Sequence, residues 1–169
     1  FPARASPCRC RQLKPMNAVR FNLHATAIVV QNTGILFAGP SGSGKSELAF
    51  SFLTEAERCG LPAALIADDQ IFVYRDGETI IAERPETIAG LLELRGSGIV
   101  SLKSIARAPL HFAVTTVLSP ENPRLPEDDE VLLLPCGGHL PLLRIPLSSL
   151  TPYGKFAALA QNLFKTNVK

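Results

Sequence analysis

Gly39-Pro40-Ser41-Gly42-Ser43-Gly44-Lys45-Ser46 fits the pattern Gly-x-x-x-x-Gly-Lys-[Ser/Thr], and its flanks decide the fold. Gly34 to Ala38, just before it, is a short apolar run that reads as a buried parallel strand. After it, Leu48, Ala49, Phe52, Leu53 and Ala56 recur at the spacing of one helical face. Strand, glycine loop and helix are together the context that a phosphate-binding loop needs. A chance glycine-rich turn would match the loop but not its flanks. Glycines at 39, 42 and 44 let backbone N–H groups approach phosphate oxygens. Lys45 supplies a point charge for the β- and γ-phosphates, and the Ser46 hydroxyl suits Mg²⁺. All eight residues, Gly39, Pro40, Ser41, Gly42, Ser43, Gly44, Lys45 and Ser46, are therefore candidate nucleotide-binding positions.

The 169 residues make about one domain, with a hydrophobic fraction of 46% and a charged fraction of 19%, both ordinary for a globular protein. No apolar run reaches the roughly 20 residues of a membrane helix, and residues 1–20 lack a secretory apolar core. A cytoplasmic protein without a membrane partner is expected. The net charge of +2 hides an asymmetry. Arg4, Arg9, Arg11, Lys14 and Arg20 fall in the first twenty residues with no acid among them. The remainder has 12 basic and 15 acidic residues, a balance of −3, so no basic body is offered to nucleic acid. Residues 1–19 are expected to be a disordered basic extension, with 1–15 an appendage ahead of Met16, and 20–169 the catalytic domain. Cys8, Cys10, Cys59 and Cys136 have no paired metal spacing and read as reduced thiols.

Along the chain, residues 21–30 read as one strand, with Phe21, Leu23, Ala25 and Ala27 on one face and Asn22, His24 and Thr26 on the other. A turn at Gln31–Gly34 leads into residues 35–38, predicting a hairpin. The helix is expected over 45–58, stopped by Gly60 and Pro62, then a buried strand at 63–67 ending in Asp68-Asp69. Asp76-Gly77 between apolar runs signals a hairpin of 71–74 with 79–82. Residues 87–94 read as a short helix or turn, 95–98 as a loop, and 99–100 as the start of another element. Further strands are expected at 110–118, 131–134 and 142–145. A proline-rich acidic loop falls at 119–130, and a helix at 152–164 has Thr151 as N-cap. The whole predicts an α/β P-loop nucleotide-binding domain with a mixed sheet and antiparallel additions.

Asp68-Asp69 closes a strand where a carboxylate near Mg²⁺ is expected. A regular strand would aim one of them into the site, and an irregular end could aim both. A solvated turn pair is the plain alternative. His24, alone, reads more simply as a bonded structural histidine. Glu93 and Arg95, ahead of two glycines, could ligate metal and pair phosphate, or form an ordinary ion pair.

Four segments together, L-H-A at 23–25, G-P-S-G-S-G-K-S-E at 39–47, I-A-D-D at 66–69 and L-L-E-L-R-G-S-G-I-V at 91–100, resemble the catalytic domain of HPr kinase/phosphorylase. The resemblance spans about residues 20–150. It implies a P-loop fold related to phosphoenolpyruvate carboxykinase, usually hexameric. It also implies a serine kinase using ATP and Mg²⁺ on an HPr-type phosphocarrier protein, reversible by phosphorolysis. It further implies His24, Lys45, Arg95 and Arg124 as catalytic residues, Ser46 and Glu93 as metal positions, and a base within Asp68-Asp69. Two rivals remain: a nucleotide-binding regulatory module without turnover, and a small-molecule P-loop kinase. The latter is disfavoured because the long loop is acidic with a single arginine, Arg124.

Overall fold

The computed structural model describes residues 18–117, 125, 127 and 129–166. Most of the expected extension and of the acidic loop lies outside the described residues.

The chain opens with β1 (Phe21–Leu23) and β2 (Thr26–Val30). The expected single strand over 21–30 is thus broken at His24-Ala25, because its halves join different sheets. Thr26 is buried rather than on an outward polar face. β2 turns through Gln31-Asn32 into β3 (Thr33–Ala38), the expected hairpin. α1 (Lys45–Arg58) buries Leu48, Ala49, Phe52, Leu53 and Ala56, the predicted face. It ends where Leu61 N–H donates to Ala56 O and Gly60 N–H to Glu57 O, both 2.9 Å, the paired closure of a Schellman motif. β4 (Ala63–Ala67) is buried throughout.

β5 (Ile71–Asp76) and β6 (Thr79–Glu83) form the hairpin that Asp76-Gly77 signals. After a 3-10 turn at Glu86–Ile88 come β7 (Leu91–Leu94) and β8 (Gly98–Ser101). The expected helix or turn over 87–94 is therefore half corrected. Pairing with β8 holds Leu91–Leu94 extended, with Leu92 buried and Leu91 and Glu93 exposed. The strand expected over 110–118 likewise divides, into β9 (Arg107–Leu110) and β10 (Phe112–Val117), at a corner on His111. β11 (Val131–Leu133), β12 (His139–Pro146) and α2 (Pro152–Thr166) complete the fold. β12 is twice its predicted length, starting three residues earlier, and α2 runs two residues further than predicted.

The central sheet is mixed, in the order β11-β12-β10-β3-β2-β4. β12, β10 and β3 run parallel, while β2 is antiparallel to both β3 and β4, so β4 runs with β3. β3 is thus parallel to one neighbour and antiparallel to the other. One sheet face packs under α1 and α2 through Ile28, Val30, Ile35, Phe37, Phe52 and Phe156. The other packs, through Ala27, Leu36 and Ala113, on Ile71, Val73, Ile80 and Ala82 of the antiparallel sheet β1-β5-β6-β9.

Two polar contacts fasten these layers. The Glu55 carboxylate on α1 accepts the N–H groups of Tyr153 at 2.8 Å and Gly154 at 3.0 Å. These are the amides a Thr151 cap would have taken, so α2 is capped from another helix. At the β9–β10 corner, His111 Nδ1 accepts the Gly34 N–H at 3.0 Å, and His111 N–H donates to Gly34 O at 2.9 Å. Gly34 must be glycine here, because a Cβ would stand 2.0 Å from the Pro109 carbonyl oxygen.

Glu55→Ala removes a carboxylate cap and is expected to cost about 1 kcal/mol in denaturant unfolding; an unchanged midpoint would refute the capping role. Partial burial lowers the His111 pKa below its ordinary value of 6.5. The unfolded chain then binds the proton more readily, so the stability from neutral His111 is full above pH 6.5. It is lost as pH falls from there through the lower folded pKa. Thermal melts between neutral pH and mild acid should show a shallower decline for His111→Asn than for the unchanged protein.

Candidate active site

The parallel strands end on one edge of the central sheet, where ligand groups of open α/β sheets collect. There the loop between β3 and α1 lines a cleft with His24, Thr26, Glu47, Asp68, Asp69, Glu93 and Arg95. Gly42 has φ of 80°, and a Cβ on it would lie 2.9 Å from Arg95 Nη1, so the guanidinium rests directly over the loop. Gly44, at φ 85°, is the N-cap of α1. The Lys45 ammonium is buried and donates to Gly39 O at 3.0 Å and Pro40 O at 2.9 Å. Its pKa is lowered, chiefly by burial; Asp69 and Asp68 oppose this and Arg95 adds to it. From the sheet side, Thr116 Oγ1 donates to Ser43 O at 2.6 Å and holds the loop from below.

The acid pair is placed by an irregularity. β4 pairs Leu65 with Ile28 but Ala67 with Ala27, skipping Ile66. This one-residue bulge puts Ile66 and Ala67 on the same side of the sheet, against the antiparallel layer. Leu65 faces the helices. Simple alternation from Leu65 would turn Asp68 away from α1; the bulge reverses the parity and aims it at the helix. Asp68 is consequently buried. Its Oδ1 accepts Thr26 Oγ1–H at 2.7 Å and Ser46 Oγ–H at 2.6 Å, and its Oδ2 accepts the Glu93 N–H at 3.0 Å.

Asp69 has φ of 69°, in the left-handed region. That turn sends its side chain outward, 68% exposed, where Oδ1 lies 2.9 Å from His24 Nδ1. His24 itself is presented by the break between β1 and β2. The two carboxylates therefore line one cleft, yet each has its own partners.

The structure brings together His24, Lys45, Ser46, Asp68, Asp69, Glu93, Arg95 and the glycine loop. Arg124 lies outside the described residues. Sequence reading missed Thr26 and Thr116. A hydroxyl at the head of the otherwise apolar Ala27–Val30 run was the available signal for Thr26.

The donor set can be tested for a metal. Among the described residues no cluster of three or more His, Cys, Asp or Glu is arranged to hold one. Ser46, Glu93 and Asp68 offer only hard oxygens, and few of them. That suits Mg²⁺, which keeps water and takes phosphate oxygens as ligands, better than an ion needing a full protein cage. The cleft measures about 130 Å³, below the roughly 300–1,000 Å³ of pockets that enclose a small molecule. That volume is on the scale of a phosphate group rather than of a whole nucleotide.

Fold and cleft together define a P-loop α/β domain. Within that class, the HPr Serine kinase C-terminal domain family matches residues 16–108, more than half of the chain, and the chain belongs to that family. It is 40% identical over 86 residues to the HPr kinase/phosphorylase of Lactobacillus delbrueckii subsp. bulgaricus, covering 50% of this chain and 25% of that protein. It is 32% identical over 109 residues to that of Pediococcus pentosaceus, covering 62% and 33% respectively. These matches span a quarter to a third of the curated relatives' length. In architecture it is similar to the Hpr(Ser) kinase/phosphatase of Coxiella burnetii, with a TM-score of 0.67 and 21% identity, covering 87% of this chain and 99% of that one. That likeness establishes the α/β fold.

Exchanging each acid for its amide separates their roles. Asp68→Asn puts an NH₂ group where buried donors require an acceptor, and should cost about 1–3 kcal/mol of stability. Asp69→Asn keeps a residue that tolerates the left-handed region, and should stay within about 0.5 kcal/mol of the original. Equal losses in chemical denaturation would overturn this division.

Proposed function

We propose that this chain is the catalytic domain of a protein serine kinase. It moves the γ-phosphoryl group of ATP, with Mg²⁺, to a serine of an HPr-type phosphocarrier protein. The observation that carries the reading is the division between the acids. Asp68 accepts three hydrogen bonds behind Ser46, while Asp69 stands open at the mouth beside His24. Family membership supports an HPr-type protein as the substrate class.

The roles follow from charge and reach. Loop amides, Lys45 and Arg95 hold and neutralise the phosphates. Bound magnesium would neutralise developing charge on the phosphate oxygens; Ser46 and Glu93, with Asp68 behind Ser46, are the residues that would hold it. Asp69 accepts the serine proton as the serine oxygen bonds the γ-phosphorus and the β–γ bridging bond breaks. His24 orients Asp69 from 2.9 Å. In reverse, inorganic phosphate attacks the phosphoserine, Asp69 returns the proton to the departing serine oxygen, and pyrophosphate leaves. A cytoplasmic, hexameric setting belongs to the same proposal and rests on the family alone.

The test is to incubate the protein with ATP, Mg²⁺ and an HPr-type carrier and to weigh the carrier. A gain of one phosphate is expected, falling about 100-fold or more in rate for Asp69→Asn, the usual worth of a positioned base. Intact ATP binding with no change in carrier mass would sink the kinase reading and favour a regulatory module without turnover.

A further inference from the structure

Thr26 is fully buried at the head of a strand whose other residues, Ala27–Val30, are all apolar. The bulge in β4 is what brings it to Asp68. With Ala27 paired to Ala67, the next residues outward on the two strands are Thr26 and Asp68. Without the skipped residue, Thr26 would stand opposite Ala67. The hydrogen bond of 2.7 Å is thus built by the same irregularity that aims Asp68 at α1.

Its consequence lies at Ser46. A carboxylate oxygen offers two in-plane lone pairs. At Asp68 Oδ1 both are taken, by the Thr26 and Ser46 hydroxyls. The Glu93 amide holds the other oxygen. Three donors from β2, α1 and β7 leave the carboxylate no free rotation. Ser46 has a single hydroxyl proton, and donating it to Asp68 leaves its lone pairs for the cleft. A hydroxyl in that state can ligate a hard cation.

We infer that Thr26 is a positioning residue for the cation site: its hydroxyl locks Asp68 in the orientation that draws the Ser46 proton away from the cleft. The inference rests on the nucleotide-and-magnesium reading above. Thr26 lines the cleft but is fully buried, and in this role it acts through Asp68 and then Ser46. Removing its hydroxyl frees one lone pair of Oδ1, and the carboxylate can turn and release Ser46.

The test compares the full chain with Thr26→Val, which keeps the branched shape and loses the donor, and with Thr26→Ser, which keeps the donor. ATP affinity is measured by calorimetry in EDTA and at graded Mg²⁺, so that no carrier protein is needed. In EDTA the valine variant should bind ATP within about twofold of the original, whereas its half-saturating Mg²⁺ concentration should rise about tenfold, the lower range for losing an outer-shell partner. Thr26→Ser should restore the Mg²⁺ response. A purely packing role would lower the melting temperature of Thr26→Val and leave its Mg²⁺ midpoint in place, and that result overturns the inference. If the valine variant does not fold, Thr26→Ala, which adds no atoms to the buried site, carries the same comparison. An original protein whose ATP affinity ignores Mg²⁺ would overturn the cation reading itself, and the role of Thr26 with it.

Discussion

A buried carboxylate is costly unless it is paired and hydrogen-bonded, and Asp68 meets that requirement with three donors from three elements. The requirement runs both ways. β2 must end its apolar run in a hydroxyl, α1 must begin with one, and β7 must be extended so that its Glu93 amide points inward. Lys45 is buried beside them; burial lowers its pKa, and the Asp69 and Asp68 carboxylates oppose that lowering. The loop, the central sheet and the β7–β8 hairpin are thereby tied at one point, and the cleft inherits its geometry from that point.

The neighbouring acid shows how environment alone separates two identical groups. Asp68 and Asp69 are adjacent in sequence, yet one is enclosed and the other is mostly open to water. A left-handed backbone at Asp69 makes the difference, because it turns the chain before Asp69 can follow Asp68 into the interior. A carboxylate held by three donors from three elements is a good scaffold. An open one next to an imidazole has lone pairs to offer. The first is held by two hydroxyls and an amide, and the second faces an imidazole.

The parts that the sequence disclosed are those set by local chemistry. The glycine loop, the apolar face of α1, its stop at Gly60, the buried run Ala63–Ala67 and the β5–β6 turn each carry their own signal, and each is found where it was expected. The breaks at His24-Ala25 and His111 were not visible. Alternation describes a strand within a sheet and says nothing about when it leaves one sheet for another. Residues 91–94 misled because a four-residue strand is too short for either period to distinguish it from a helix. The cap of α2 by Glu55 is a contact across 98 residues, and no local pattern near Thr151 could report it.

The same limit explains why the candidate site was legible as a set of residues and not as a mechanism. His24, Lys45, Asp68, Asp69, Glu93 and Arg95 could be gathered from their motifs and resemblance. Their placement could not, because it depends on irregular backbone. His24 sits at a strand break, Asp68 follows a bulge, and Asp69 occupies a conformation that most side chains avoid. A regular β4 would have sent Asp68 toward the antiparallel layer and left Ser46 and Thr26 without their acceptor. Regular structure supplies the rigid frame here, and each departure from it carries one group of the cleft. Such departures have a cost, and they persist where the surrounding contacts over-determine them. At Asp68 those contacts are two hydroxyls and an amide, all within 3.0 Å.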